Sequence, residues 1–362
     1  MFISMVMVVK NEETVLARCL DSVQGPKKFW DELVITDTGS TDGTIAVAER
    51  YGARVQRAEW PKSFAKARNM AAESASPHAQ VVVNIDADEV LGAGGERLRA
   101  RIEDAYARGR RLMSFNYHWD HDEHGVPTVT FARQVIFDPR LYKWTGRAHE
   151  ALHGVINKDT WEHFDDIVLE HWPKPGSTQM RKERDLQLLR EEVAENPMSS
   201  RFRFYLAREL YYHGRNDEAV AAFQECLDRS RWAPERADAR LKMAECLVRL
   251  GKEQEALSQL MAAVLEAPLR REPYHALAMH FYTREKWQQA AVWAEAAAAI
   301  IPGEQLAEYT SRTSIYTWEP HDVASIAYHK LGQQEKARAH WRAAAAMAPK
   351  NERIQGNAKY FG

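Results

Sequence analysis

The chain has 362 residues, 45% of them hydrophobic and 28% charged, with a formal net charge of −2. That length accommodates two domains at about 100–200 residues each, and the composition is that of an ordinary globular protein. A balance so close to neutral excludes a global field drawing the molecule to nucleic acid or an anionic membrane, leaving only local basic clusters to consider.

The opening stretch, Met1 to Val9, is apolar, but Lys10-Asn11-Glu12-Glu13 follows at once. With no basic flank or small-residue cleavage site, and too short to span a bilayer, it reads as a buried strand, Phe2–Val9, of a cytoplasmic protein. Cys19, Cys226 and Cys246 lack metal-type spacing and read as small core residues in a reducing compartment.

A helix follows over Glu13–Val23, where Val15, Leu16, Cys19, Leu20 and Val23 recur at helical spacing. A second strand, Leu33–Thr36, ends at Asp37. The turn Thr38-Gly39-Ser40-Thr41-Asp42-Gly43-Thr44 then supplies N-cap residues for a helix around Ile45–Tyr51 and glycines that let backbone approach a ligand. Ala53–Gln56 reads as a third strand, Phe64–Ser74 as a helix, and Gln80–Ile85 as a strand running into Asp86-Ala87-Asp88-Glu89. If that strand continued, Asp86 and Asp88 would share a face. Carboxylates so close repel unless a cation or donor groups compensate, and a hard divalent ion holding phosphates would do so. The bland alternative is a solvated acidic turn. The β-α-β-α order implies a largely parallel sheet with ligands beyond the carboxyl ends of its strands, where Asn11, Asp37 and Asp86 converge.

Val9-Lys10-Asn11-Glu12-Glu13, Asp37 to Thr44, Phe64-Ala65-Lys66-Ala67-Arg68-Asn69 and Asp86-Ala87-Asp88-Glu89 resemble, in order and spacing, the family 2 glycosyltransferases of GT-A fold. The resemblance extends through Trp144-Thr145-Gly146-Arg147-Ala148-His149-Glu150 and Leu169-Glu170-His171-Trp172, over about the first 175 residues. It implies an inverting enzyme moving a hexose such as glucose from a UDP-sugar, with Mn²⁺ or Mg²⁺. It further implies that Val9, Asn11, Glu12, Asp37, Arg68, Asp86 and Ala87 hold the nucleotide sugar. Asp37 and Glu12 would face the nucleoside, and Arg68 would lie near the pyrophosphate or base. Asp88, of the DXD motif, would hold the metal, with Asp86 either contacting the ribose or sharing the metal. His171 is the second candidate metal ligand, an interdomain role being its alternative. An inverting transfer needs a base for the acceptor hydroxyl; Glu150 is the first candidate and Glu89 the second, while a structural hydrogen-bonded pair is the alternative for His149-Glu150.

Leu112–Trp119 and Thr128–Phe137 are β-rich and flank Asp120 to Pro127, the pattern of a hairpin. His118, His121, Asp122 and His124 match no closed metal pattern and read as exposed loop residues. A charged amphipathic helix, Met180–Asn196, leads into a repeat. Ala219, Ala256, Ala290 and Ala337 head similar segments 37, 34 and 47 residues apart, with Pro268, Pro302 and Pro349 each 12 residues after an alanine. A period near 34 with helix-turn-helix punctuation resembles tetratricopeptide repeats, without their first tryptophan and with Gly303–His321 as an insertion. Its Tyr309, Tyr316, Trp318 and His321 form either a packed loop or a recognition element.

The expected organisation is α/β plus all-α. A GT-A nucleotide-sugar domain spans 1–176, a connecting helix 177–198 and a tetratricopeptide-like solenoid 199–362. The repeats would either dimerise or present a macromolecular acceptor, protein, peptide or lipopolysaccharide-type glycan. One alternative acceptor is DNA with hydroxymethylated bases, for the basic runs at Arg97, Arg99, Arg101, Arg108, Arg110 and Arg111, at Arg181, Lys182 and Arg184, and at Arg201 and Arg203; solvation or pairing of these arginines is the plainer reading. Another alternative is a catalytically inactive repeat adaptor.

Overall fold

The computed structural model describes residues 1–157, 159–174, 178–301 and 311–361, without the side chains of 178–182 and 311. Pro175, Gly176, Pro302 and Gly303–Thr310, including Tyr309, therefore lie outside the described residues, as do the side chains of Met180, Arg181 and Lys182. The chain forms two compact units, Met1–Glu192 and Val193–Gly362.

In the first unit, β1 (Ile3–Val9), β2 (Glu32–Asp37), β3 (Arg54–Arg57) and β4 (Val81–Asn84) alternate with α1 (Glu13–Ser22), α2 (Thr44–Arg50) and α3 (Phe64–Glu73). The apolar runs of β1 and β4 are almost wholly buried, as strands covered on both faces must be. β5 (Glu89–Leu91), α4 (Leu98–Ala107), β6 (Leu112–His121), β7 (Pro127–Phe137), β8 (Lys143–Thr145), β9 (Ala151–His153) and β10 (Trp161–His171) complete it. The main sheet runs β3-β2-β1-β4-β7-β6-β10-β5, and β8 and β9 form a separate ribbon. β3, β2, β1 and β4 are mutually parallel, and β7 turns antiparallel against β4 and β6. Succession to one side of β1 and then to the other opens a crevice beyond the carboxyl ends of β1 and β4, where open α/β sheets take ligands.

The condition for a shared face is not met, because the strand does not run on through Asp86 and Asp88. β4 ends at Asn84, and a turn carries the chain to β5, which pairs with β10 at the far edge of the sheet. The two aspartates therefore sit in a crossing turn and reach different partners.

The helical unit follows α5 (Thr178–Glu195), and the division between the units falls within that helix. Antiparallel pairs are built by α6 (Ser200–Tyr212) with α7 (Asn216–Arg229), α8 (Ala233–Arg249) with α9 (Glu253–Glu266), α10 (Arg271–Tyr282) with α11 (Trp287–Ala299), and α12 (Glu319–Lys330) with α13 (Gln334–Met347). Ala219, Ala256, Ala290 and Ala337 are all fully buried, because only a methyl fits where paired helices touch. Between the helices of three pairs, Gly214, Gly251 and Gly332 take left-handed backbone; in the remaining pair Glu285 does so at φ 55°. The described end of the insertion is packed: the Tyr316 hydroxyl donates to Glu272, and His321 meets His340 at 3.0 Å. All three cysteines are buried and free. No helix among the described residues is long and apolar enough to cross a membrane.

The basic run on and around α4 is compensated. Arg97, Arg99, Arg101, Arg108 and Arg110 pair with Asp31, Glu96, Glu103, Asp104, Glu162 and Asp166, and Arg111 donates to the Tyr106 and Arg110 carbonyls. Arg203 pairs with Glu225 and Arg184 with Asp185.

Candidate active site

The site begins with α3. Ser63 caps it by accepting from the Lys66 amide, and the carbonyls of Arg147 and Gly146 accept from the Phe64 and Ala65 amides. Within the helix, the Asn69 amide donates to the Trp144 carbonyl and accepts from the Trp144 N–H, both at 2.9 Å. A carboxamide copies a peptide group, so Asn69 serves β8 as a neighbouring strand would. Two motifs far apart in the chain are thereby locked together, which brings Arg68 and Glu150 side by side.

Arg68 is 7% exposed and meets Asp86 bidentately at 2.7 and 2.8 Å, while its Nε donates to Glu150 Oε1 at 2.6 Å. Its guanidinium also lies 5.1 Å from the centre of the Trp144 ring. Arg133, from β7, donates to Asp86 Oδ2 at 2.6 Å and pairs with Glu89 at 2.8 Å. Glu89 is 1% exposed, accepts from the Tyr117 hydroxyl at 2.8 Å and from the Asp86 amide at 2.9 Å. Burial opposes the Asp86 charge, but Arg68 and Arg133 together hold its carboxyl well below the usual range. Burial, with Asp86 alongside and against the pull of Arg133, pushes the Glu89 carboxyl up to about 7. Two guanidiniums among three carboxylates leave one negative charge in excess, and the deepest carboxyl absorbs it.

Arg133 and Tyr117 were not singled out from the sequence. A signal existed: Arg133 falls two residues from Phe131 and from Val135, on a face whose residues pack inward. A charge on such a face demands a buried partner.

Asp88 lies on the other side of the turn. Its carboxylate approaches His171 Nε2 at 3.4 Å, and its carbonyl accepts from the Trp172 amide at 2.8 Å. His171 stacks on Trp119 at 4.2 Å, and its Nδ1 lies 3.1 Å from the Trp119 carbonyl. That carbonyl can only accept, so Nδ1 carries a proton, and Nε2 faces Asp88, to which it donates when the ring is charged. Burial disfavours the imidazolium, but Asp88 raises the His171 pKa above its ordinary value. One carboxylate and one imidazole form a donor set that Mn²⁺ accepts more readily than Mg²⁺ does.

The remaining sequence candidates line the crevice differently. Asp37 is 3% exposed and accepts from the amides of Gly39 and Ser40, folding the turn at the carboxyl end of β2. With Gly39, Ser40, Ile45, Arg57, Ala58 and Glu59 it borders a cavity of ≈ 370 Å³, within the size range of small-ligand sites. Asn11, with left-handed backbone at φ 55°, accepts from the Thr41 amide at 2.8 Å and braces that turn. Glu12 pairs with Lys174 at 3.0 Å. Val9 is buried, and its carbonyl accepts from the Thr38 amide and hydroxyl; Ala87 is buried in the crossing turn. One expectation is corrected here: His118 and His121 are half-buried residues of β6 beside Glu170 of β10, and only Asp122 and His124 belong to the exposed loop.

With this geometry in place, known proteins offer a comparison. Residues 4–106 match the model for glycosyl transferase family 2, and residues 210–279 a tetratricopeptide repeat model. The chain thus joins a family 2 glycosyltransferase domain to tetratricopeptide repeats. An uncharacterized glycosyltransferase of Rickettsia conorii is 39% identical over 110 residues, 29% of this chain and 34% of the relative. The SPbeta prophage-derived glycosyltransferase SunS of Bacillus subtilis is 22% identical over 223 residues, 59% of this chain and 50% of that protein. A repeat-containing protein of Synechococcus elongatus is 37% identical over 105 residues, 29% of this chain and 25% of the relative. The matches thus span about a quarter to a half of these relatives. Among solved structures, S. aureus TarS aligns over 75% of this chain and 55% of its own, at 15% identity and a TM-score of 0.37.

Proposed function

We propose that residues 1–176 transfer a hexose, with inversion, from a UDP-sugar to a hydroxyl of a macromolecular acceptor, and that residues 199–362 bind that acceptor or a second copy of the chain. The observation that carries this reading is the pairing of Asp88 with His171 beside the Arg68–Asp86–Glu150 cluster, all at the carboxyl-end crevice of the sheet. The donor's nucleoside would occupy the cavity beside Asp37, and Asp88 with His171 would hold Mn²⁺ or Mg²⁺. The chemistry such an ion supplies is neutralisation of charge on the departing diphosphate.

Of the two base candidates, Glu150 fits better. Every hydrogen bond to Glu89 draws it inward, whereas Glu150 has Arg68 on Oε1 and no hydrogen bond to Oε2 among the described residues. In the transfer, the acceptor hydroxyl oxygen forms the new bond to the anomeric carbon and its proton passes to Glu150. The bond from that carbon to the diphosphate breaks with its electrons leaving on the diphosphate. Arg68 orients Glu150 and Asp86 together.

The test is UDP release from a panel of UDP-sugars with Mn²⁺, wild type against Asp88→Ala. Metal-dependent release lost in the variant supports the reading and names the donor. Turnover unchanged in Asp88→Ala refutes the metal assignment. Failure of both UDP and Mn²⁺ to bind refutes the transferase reading and leaves an interaction scaffold.

A further inference from the structure

We infer that His118, His121 and Glu170 form a binding site for a transition-metal dication of the zinc class, separate from the Asp88–His171 pair. One donor atom from each of the three lies within 4.8 Å of the others, and no other group of His, Cys, Asp or Glu among the described residues converges in this way. The origin is a fault in the strand. Side chains three apart on a regular strand point to opposite faces. The β6–β7 register slips between His118 and Asp120 and again between Asp120 and His121, and such an irregularity re-aims side chains. It turns His121 toward the side of His118. Glu170 of β10 is the register partner of His118 across the β6–β10 pairing, which sets the carboxylate beside both rings.

The local chemistry is that of a ligand set. His118 Nδ1 is enclosed without a hydrogen-bond partner among the described residues, an arrangement that costs free energy unless something fills the position. Glu170 Oε2 accepts from Trp172 Nε1 at 2.9 Å, and His121 stacks on that indole at 4.5 Å with the rings 9° from parallel. An oriented carboxylate and a pinned imidazole are what an outer shell supplies to metal ligands. Two imidazoles with one carboxylate favour zinc, cobalt or nickel over magnesium or calcium. Ligands on a tetrahedral zinc sit about 3.4 Å apart, so closure needs side-chain shifts of about 1 Å at an irregular, half-exposed strand end.

An ion there would tie the end of β6 to β10 and to Trp172, whose amide holds the Asp88 carbonyl at 2.8 Å. The site therefore stiffens the frame of the crevice and needs no part in transfer.

The experiment uses the full chain stripped with a chelator. Co²⁺ is titrated by its visible absorption and Zn²⁺ by competition with a chromophoric chelator, in wild type, Asp88→Asn, His121→Ala, Glu170→Gln and His121→Cys. The expected result is binding that persists in Asp88→Asn and weakens at least tenfold in His121→Ala and Glu170→Gln. His121→Cys, which restores a ligand, should retain cobalt and add a thiolate-to-cobalt charge-transfer band. Binding indifferent to His121→Ala and Glu170→Gln, or no such band in His121→Cys, would overturn the site. Neither outcome depends on transferase activity, so the site and the function proposed above fail or stand separately.

Discussion

Asn69 is the residue whose loss should propagate furthest. Its carboxamide makes two hydrogen bonds to the backbone of Trp144, a residue 6% exposed on a strand whose one paired strand among the described residues is β9. Asn69→Ala removes two bonds worth about 1 kcal/mol each and leaves a buried N–H and C=O short of partners, at about 1–3 kcal/mol apiece when water cannot reach them. Asn69 is only half-buried, which admits some water, so about 2–4 kcal/mol is expected in urea unfolding by linear extrapolation. Asn69→Asp separates packing from hydrogen bonding. It keeps the acceptor for the Trp144 N–H but sets a carboxylate oxygen against the Trp144 carbonyl. At neutral pH it should therefore destabilise at least as much as alanine, with part of the loss recovered in acid when the carboxyl can donate. Because the same segment carries Glu150, donor turnover should fall about tenfold or more from misplacement alone. A cost under about 0.5 kcal/mol for Asn69→Ala, or an aspartate more stable than alanine at neutral pH, would refute the reasoning.

Three further outcomes follow from the structure. Arg133→Met should cost about 3 kcal/mol by stranding Glu89 and part of the Asp86 charge, and adding Glu89→Gln should recover some of it; strict additivity of the two changes in urea unfolding would contradict the coupling. In the repeats, Gly251 has open space around the position a Cβ would take, so Gly251→Ala should cost about 1–2 kcal/mol through its left-handed backbone alone. Glu285→Gly, at the equivalent strained turn, should raise the melting temperature; a shift in the opposite direction would show that the glutamate side chain matters more than its backbone. Burial works against the Glu319 charge, yet His275 and Arg312 lower its carboxyl to about 2 from 4.5. A depressed carboxyl stabilises the fold above its unfolded pKa, here on the order of 3 kcal/mol, and that contribution disappears as pH falls from about 4.5 through about 2. Glu319→Gln should flatten this acid limb in a pH series of unfolding curves, and an unchanged limb would remove Glu319 from the account.

Local pattern determined much of this protein. The alternation of apolar runs with helical periodicity placed β1 to β4 and their helices to within a residue or two, because buried strands and amphipathic helices are short-range features. The spaced alanines and turn glycines likewise marked the helix pairs, since close helix contact tolerates little besides a methyl. Asn11, Asp37 and Asp86 could be named at strand ends for the same reason, whereas the roles expected of Asp88, His171 and Glu150 followed from the family resemblance. What they touch was decided only by the tertiary structure. Asp86 and Asp88 are two residues apart, yet a chain crossing from β4 to the far edge of the sheet sends one to Arg68 and Arg133 and the other to His171. Arg133, Tyr117 and Glu170 entered through sheet order and register, and His121 through a strand irregularity. Strand pairing joins residues distant in sequence and leaves no periodic trace in either segment, so these contacts exist only in the folded chain.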